Sequence, residues 1–352
     1  MEEWYRKIVL EEQPGVGPAL VRWLLLPLSW LYSVVIETYK LLFTVGLLKR
    51  VHLPCRVVSL GNLTMGGVGK TVAVQAAALA LQRAGIRCVI LSYGYRAGSK
   101  GDYAVVSDLD GVLMGPEEAG DEACMLASAL PGIPVIIGKR RPLSGAAAVR
   151  LFQPDVILLD DGFQHWRLAR DVDLVLLDAR RPLGNGRVFP AGILREQAAS
   201  LRRAGGCILT RCDSATAVEL EAARETLNRL APGSPVLGTS HVIGTPYLVP
   251  TGPRRGLPPP HQRELWQQAG VRFCAVSGIG QNSAFLASLL EAGYIVPASL
   301  EFPNHHQYNP IDVCAILRQA EELDAVVTTE KDAVKLADLW CSPVPLLALP
   351  VT

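Results

Sequence analysis

The sequence carries no excess charge of either sign: 34 lysines and arginines stand against 33 aspartates and glutamates. The broad basic field with which nucleic-acid binders hold phosphate backbones is therefore missing, so no nucleic-acid partner is expected and any phosphate recognition must be local. Cysteine pairing is missing too. The eight cysteines (Cys55, Cys88, Cys124, Cys207, Cys212, Cys274, Cys314, Cys341) are scattered without CxxC or Cys/His spacing, mostly among apolar neighbours. That argues against zinc and against a disulfide framework, and fits small core residues in a reducing compartment. Internal repeats and low-complexity tracts are absent. The early uncharged run, Trp23 to Ile36, holds 14 residues including Pro27, short of the roughly 20 that a spanning helix needs. A cleaved signal peptide is a poor fit: Glu2 and Glu3 open the chain, and Glu37-Thr38-Tyr39-Lys40 follows the run instead of a small-residue cleavage site.

What the chain has is 352 residues of 49% hydrophobic content, enough for one large α/β domain and a smaller one. Residues 1–50 read as an amphipathic helical segment. Trp23, Trp30, Tyr32 and Tyr39 offer amphipathic rings, and Arg22, Lys40, Lys49 and Arg50 offer cations to anionic head groups, the make-up of a helix lying in a membrane surface. A pair of core helices packed on the main domain is the competing reading. From Arg56 onward, short runs rich in β-branched residues alternate with helical stretches, as in a mostly parallel sheet flanked by helices. Strands are expected at Arg56 to Leu60, Cys88 to Ser92, Ala104 to Ser107, Pro134 to Ile137, Val156 to Asp160, Leu174 to Asp178 and Cys207 to Thr210, with a helix over Thr71 to Ala84. The stretch Ala231 to Pro260, rich in proline and glycine, reads as linker with strands at His241 to Ile243 and Tyr247 to Val249. The second unit is expected to hold strands at Arg272 to Val276, Ala325 to Thr328 and Val344 to Leu349, and helices at Ser283 to Ala292 and Ile311 to Glu322. The expected domains are thus 1–50, 51–235 and 236–352.

The strongest chemical signal is Gly61-Asn62-Leu63-Thr64-Met65-Gly66-Gly67-Val68-Gly69-Lys70-Thr71, between an expected strand and an expected helix, which is the context of a P-loop. Thr64, Met65, Gly66, Gly67, Val68, Gly69, Lys70 and Thr71 are the nucleotide-binding candidates. Glycines let successive N–H groups turn toward phosphate oxygens, Lys70 reaches the β- and γ-phosphates, and the Thr71 hydroxyl ligates Mg²⁺. Thr64 stands where the strict pattern has glycine, so the loop is a variant. The strand Val156 to Asp160 ends in Asp160-Asp161, and in a P-loop protein an acid there holds Mg²⁺. Asp160 is the nearer metal candidate. Alone, the pair fits a turn or a helix cap equally well. Asp161, Gln164 and His165 add polar groups beside the nucleotide.

Several segments in order resemble the tetraacyldisaccharide 4'-kinase family: Gly61 to Thr71, Ser92-Tyr93-Gly94-Tyr95, Gly120-Asp121-Glu122, Asp160 to His165, Pro190 to Glu196, Phe302 to His306 and Thr329 to Val334. Asp-Asp-Gly-Phe-Gln-His and Thr-Glu-Lys-Asp-Ala-Val are far more discriminating than the P-loop. The resemblance implies a P-loop NTPase-like kinase at the cytoplasmic face of the bacterial inner membrane. Its partners would be ATP, with Mg²⁺, and an acylated glucosamine disaccharide lipid that is phosphorylated on its 4' hydroxyl. It also implies Asp121 as catalytic base and His305 as its helper, with Glu122, Arg195 and Glu196 supporting, and it strengthens the interfacial reading of the N-terminal segment.

Three departures stand out: Tyr93 in place of arginine, Asn304 in place of aspartate, and Gln197 in place of proline. Arg96 or Arg140 is the expected compensation for the charge missing at Tyr93. Plainer roles compete for several candidates. Asp121 opens an expected helix and serves its N-terminus. His305-His306 fits an exposed polar turn, Arg195-Glu196 a surface pair at a helix start, His165 a support to the carboxylates, and Lys331-Asp332 a structural helix start. Because Asp121 falls in the larger expected domain and His305 in the smaller, the two are expected to close over the nucleotide and exclude water. Two rivals to the kinase reading are a membrane-recruited P-loop regulatory ATPase, whose loop carries lysine where Met65 stands, and a catalytically weakened lipid-binding paralogue.

Overall fold

Apolar, β-branched runs bury best when both sheet faces are covered, and the chain meets this with strands separated by helices. The structure, a computed structural model, describes residues 5, 8–10, 15–95, 97–98, 101–252, 257–258, 262–266, 270–280 and 282–351. In chain order the helices are α1 (Val16–Thr44), α2 (Lys70–Arg83), α3 (Pro116–Ala119), α4 (Asp121–Ala129), α5 (Arg141–Phe152), α6 (Ala217–Leu230), α7 (Asn282–Glu291), α8 (Pro310–Gln319) and α9 (Glu330–Leu336). The strands are β1 (Arg56–Asn62), β2 (Cys88–Ser92), β3 (Ala104–Ser107), β4 (Val135–Ile137), β5 (Val156–Asp160), β6 (Val172–Asp178), β7 (Gly206–Thr210), β8 (Val236–Gly238), β9 (Tyr247–Leu248), β10 (Arg272–Ser277), β11 (Ile295–Glu301), β12 (Ala325–Thr329) and β13 (Leu346–Leu349). The mostly parallel α/β architecture read from the sequence is what the chain adopts.

Contacts divide the chain into two compact units. The first comprises residues 1–70 and 156–241. Its strands run in the order β5-β1-β6-β7-β8, every neighbouring pair parallel, over a core of Leu63, Phe163, Val175, Leu177, Leu194, Cys207 and Leu209. Helix α6 starts at a capping box, in which Thr216 and Glu219 bond each other's backbone N–H. Helix α1 is one continuous helix of 29 residues despite Pro27. Its leucine-rich flanks have high helix propensity, which outweighs the single backbone bond that proline removes. Trp23 is 72% and Trp30 71% exposed, so the expectation of paired core helices does not describe this segment. By length and composition α1 is apolar enough to cross a membrane.

The second unit comprises residues 71–155 and 242–352. It holds the run β3-β4-β2, with β2 and β4 parallel and β3 antiparallel to β4. It also holds a five-stranded sheet in the order β11-β10-β12-β13-β9, parallel except for the edge strand β9. The expected strand at His241 to Ile243 does not form; Ile243 makes one bridge with Val351. Strand β11 was hidden from the sequence reading by Pro297. The register shifts between its pairings to Arg272 and Cys274, and a bulge on an edge strand is where a proline is tolerated.

Candidate functional site

In the first unit β1 ends at Asn62 and α2 begins at Lys70, so the glycine-rich loop joins strand to helix as the motif requires. Gly69 has φ +78°, and a Cβ there would lie 2.8 Å from the His241 ring, so any other residue would be strained. The loop is braced from several sides. The Met65 N–H donates to the Ile193 carbonyl at 2.6 Å and the Arg195 N–H to Leu63 at 2.8 Å. The Asn62 amide donates to the Thr64 carbonyl at 2.5 Å, and Arg211 to the Gly67 carbonyl at 2.6 Å. Thr64 and Val68 are buried while Met65, Gly66 and Gly67 are exposed. Thr64 and Val68 therefore serve the loop chiefly through their backbone.

Lys70 lies at the foot of this loop, its ammonium 3.3 Å from Asn62 Oδ1 and 3.7 Å from Asp161 Oδ2. Thr71 is the second residue of α2. Asp160 ends β5 and is buried. Asp161 follows with φ +52° and takes both oxygens to Arg195, at 2.9 and 3.0 Å. The same guanidinium reaches Gln164 Oε1 at 3.3 Å, and the Gln164 amide donates to the Asn62 carbonyl at 3.0 Å. Lys70, Asn62, Asp161, Gln164 and Arg195 thus form one polar network. His165 stands at the next turn, where its carbonyl accepts from Arg170.

Arg195 and Glu196 do not form the surface pair that the sequence allowed. Glu196 is only 1% exposed. Its carboxylate binds Arg203 at 2.8 and 3.0 Å, Ser200 at 3.0 Å and Lys40 of α1 at 2.9 Å. Burial pushes its carboxyl up, but the hydrogen bonds and charges of Arg203 and Lys40 outweigh burial and hold it below its usual range.

A second constellation lies in the second unit, where α4 packs against α9. Gly120, with φ +83°, precedes Asp121, and a Cβ there would lie 2.6 Å from the Tyr95 carbonyl. That close approach explains the glycine of Gly-Asp-Glu. Asp121, 6% exposed, opens α4, where a carboxylate also suits the helix dipole. Its Oδ2 is 3.1 Å from His305 Nδ1 and 3.8 Å from the ammoniums of both Lys331 and Lys335. Burial pushes the Asp121 carboxyl up. The His305 hydrogen bond and the charges of Lys331 and Lys335 outweigh it and hold it down at about 2.

His305 adopts φ +58°, a left-handed backbone that few non-glycine residues take. Its N–H donates to the Gly278 carbonyl at 3.1 Å, and its ring lies 5.3 Å from that of Tyr95. His306 turns elsewhere, to Asp312 Oδ2 at 3.0 Å, stacked on Phe302 at 4.8 Å. His305 does lie in a turn, but both histidines are half-buried and partnered, not exposed. Asp121 and His305 belong to the same unit and touch. A cavity of about 300 Å³ lined by Tyr95, Pro116, Glu117, Gly120, Asp121 and Gln307 opens onto the carboxylate.

Two lysines complete this constellation, one read from the sequence only as a helix start and one not singled out there. Lys331 sits 3.0 Å from Glu122 Oε1 and 3.3 Å from His305 Nε2, so it does more than begin a helix. Lys335, buried, lies 2.8 Å from Asp332 and bonds the His306 carbonyl at 3.1 Å. Its spacing of four from Lys331 on one helix was the available signal. Of the two arginines expected to compensate at Tyr93, Arg96 lies outside the described residues, and Arg140 is exposed and paired with Asp102 at 3.5 Å. The buried guanidinium of Arg141 stands there instead, 6.0 Å over the Tyr93 ring.

Comparison with known proteins gives a consistent result. The family model described as LpxK, tetraacyldisaccharide-1-P 4'-kinase, matches residues 21–352. A tetraacyldisaccharide 4'-kinase of Syntrophus aciditrophicus is 37% identical over 341 residues, covering 91% of this chain and 87% of the relative. One from an Anaeromyxobacter species (strain Fw109-5) is 43% identical over 299 residues, covering 84% and 77%. The crystal structure of Aquifex aeolicus LpxK, described as an "apo" form in complex with ATP, aligns with a TM-score of 0.71 at 31% identity over 94% of each chain.

Proposed function

The chain belongs to the tetraacyldisaccharide-1-P 4'-kinase family and is an ATP-using kinase, and from that premise we propose how its residues divide the reaction. The loop from Thr64 to Thr71 holds the ATP phosphates on backbone N–H groups and Lys70. The acceptor is the 4' hydroxyl of a tetraacylated glucosamine disaccharide 1-phosphate. Phosphoryl transfer passes through a loose transition state whose charge sits on the equatorial oxygens, so positioning and fixed positive charge do most of the work. Lys70 supplies that charge, and the Asn62, Asp161 and Arg195 network aims it.

Asp121 takes the hydroxyl proton and His305 assists it. A carboxyl held at about 2 is a weak base. Because the nucleophile's proton is lost late in a loose transition state, a carboxylate that is always ionised suits the task better than a strong base that is often protonated. The Asp121–His305 contact at 3.1 Å is the observation that carries this reading. It also speaks against a weakened paralogue, since Tyr93 and Asn304 leave the pair intact.

Mg²⁺ fits the residues present. Thr71 and Asp160 each offer the hard oxygen it prefers, and an ion of this kind keeps waters and phosphate oxygens in its shell. When bound it would neutralise charge on the transferred phosphoryl group.

Membrane attachment, placed by this reading at the cytoplasmic face, is supported by the lipid acceptor and by the apolar helix α1. That helix is tied to its own unit by Ser29 to the Val188 carbonyl, Tyr32 to the Arg195 carbonyl and Lys40 to Glu196. The part N-terminal to Ser29, about 13 residues, spans only ~20 Å. This is less than the ~30 Å of a bilayer core, which favours a helix lying in the surface over one crossing it.

The test is ATP turnover by the full chain in mixed micelles, with and without the acylated disaccharide, and the position of the new phosphate read by NMR. Wild type should phosphorylate the 4' position, and folded Lys70→Ala should lose most turnover. Lipid-independent ATP hydrolysis, or full activity of Lys70→Ala, would remove the reading.

A further inference from the structure

The ring of His305 is bonded at both nitrogens, and the two partners differ in kind. Nδ1 faces Asp121 Oδ2 at 3.1 Å, and Nε2 faces Lys331 Nζ at 3.3 Å. An ionised carboxylate only accepts and an ammonium only donates. A ring between them satisfies both only if Nδ1 carries the hydrogen and Nε2 carries the lone pair. The other neutral tautomer would set lone pair against carboxylate and N–H against ammonium. The imidazolium would satisfy Asp121 but oppose Lys331. We propose that Lys331 is a positioning residue for phosphoryl transfer, fixing His305 as the Nδ1–H tautomer so that the imidazole donates to Asp121 and leaves the carboxylate as the proton acceptor. This rests on the reading of Asp121 and His305 as the proton-accepting pair.

The placement of Lys331 is built into the fold. Its side chain is 16% exposed, and its ammonium is also held by Glu122 Oε1 at 3.0 Å, a residue beside Asp121 on α4. Thr329 caps α9, its hydroxyl accepting the Asp332 N–H at 3.1 Å. Asp332, fully buried, takes the Gly278 N–H at 2.8 Å and the Thr329 hydroxyl at 2.8 Å. Gly278 in turn offers its carbonyl to the His305 N–H at 3.1 Å. One peptide segment therefore anchors both the histidine, in its left-handed backbone, and the helix turn bearing the lysine. Lys335, four residues on, is turned to Asp332 and the His306 carbonyl. A lysine that merely began a helix would have no need of this setting.

The consequence is a division of roles. With Nε2 covered by an ammonium, the imidazole is not the group that takes a proton from a hydroxyl. It orients Asp121 through Nδ1–H, and the proton goes to the carboxylate. This is the service that second partners of histidine commonly supply, fixing tautomer and ring orientation.

The experiment uses the full-length chain in detergent micelles, ¹⁵N-labelled at histidine, with the His305 signals assigned by their loss in His305→Ala. Wild type at pH 8 should show the Nδ1–H, Nε2-acceptor pattern. In Lys331→Met that pattern should be lost, with kcat falling about 10- to 100-fold at unchanged KM for ATP. Lys331→Arg, which still donates toward Nε2, should keep the pattern and recover most of kcat. A wild-type spectrum of the Nε2–H tautomer overturns the proposal, and does so even if Lys331→Met fails to fold. So does a folded Lys331→Met that keeps the wild-type pattern while losing kcat, since the lysine would then act on substrate directly. Full turnover by His305→Ala would instead remove the assisting role of the histidine, leaving the tautomer result to stand or fall on its own spectrum.

Discussion

Replacing Asp121 by Asn keeps the shape of the side chain and deletes its charge, so it measures what that buried charge contributes. In the native protein burial opposes ionisation, but His305, Lys331 and Lys335 overcome it and hold the carboxyl at about 2 against an ordinary value of 3.8. At about 1.36 kcal/mol per pKa unit this makes the ionised group worth about 2 kcal/mol to folding. The sign follows from the direction: a depressed carboxyl stabilises fully above its unfolded value and loses that contribution as pH falls through its folded one. Asp121→Asn should therefore be less stable than wild type by about 2 kcal/mol at pH 7. The gap should shrink to roughly half at pH 3 and nearly close at pH 2. Urea unfolding in micelles between pH 2 and 7, followed by fluorescence, reads it directly. The same variant should bind ATP with little change while kcat falls by about 10²–10⁴-fold, the range of general base catalysis. A stability gap that stays constant from pH 7 down to pH 2, or a variant as stable as wild type at pH 7, would refute the electrostatic account.

Glu196→Ala removes the buried acceptor shared by Lys40 and Arg203; Lys40 keeps Glu37 at 2.7 Å, but Arg203 loses its carboxylate partner, and the variant should be less stable by about 3 kcal/mol in urea, whereas Glu196→Gln, which still accepts, should cost clearly less. Equal stability of both variants with wild type would mean that the cluster is solvated. Trp30→Glu combined with Leu31→Glu, on the exposed part of α1, should abolish flotation with anionic liposomes while leaving the circular dichroism spectrum unchanged, and undiminished flotation would reject surface insertion. His306→Ala should perturb the cap at Asp312 and spare kcat, in contrast to His305→Ala; the opposite ranking would reassign the second member of the pair.

Local physics was legible in the sequence. The phosphate loop depends on a strand, a glycine-rich turn and a helix that adjoin in the chain, and Asp160 closes a strand whose apolar run ends where it stands; both could be read residue by residue. The parallel sheets followed from β-branched runs, and β11 was missed because a single proline contradicted the pattern that its edge position and bulge allow. Only the tertiary structure decided the rest. Asp121 and His305 are 184 residues apart, and Glu122 and Lys331 are separated by 209, so no spacing rule connects them. The packing of α4 on α9 makes them neighbours and turns a helix-start lysine into a partner of the histidine. Glu196 looked like half of a surface pair because burial is not written in a dipeptide; it became a buried anion when α1 brought Lys40 onto it. Sequence alone thus marked the strand-to-helix loop proposed to cradle phosphate, because that loop needs only adjacent backbone. The fold determined which carboxylate is desolvated and which cations surround it, because those depend on groups that meet only after the chain has closed.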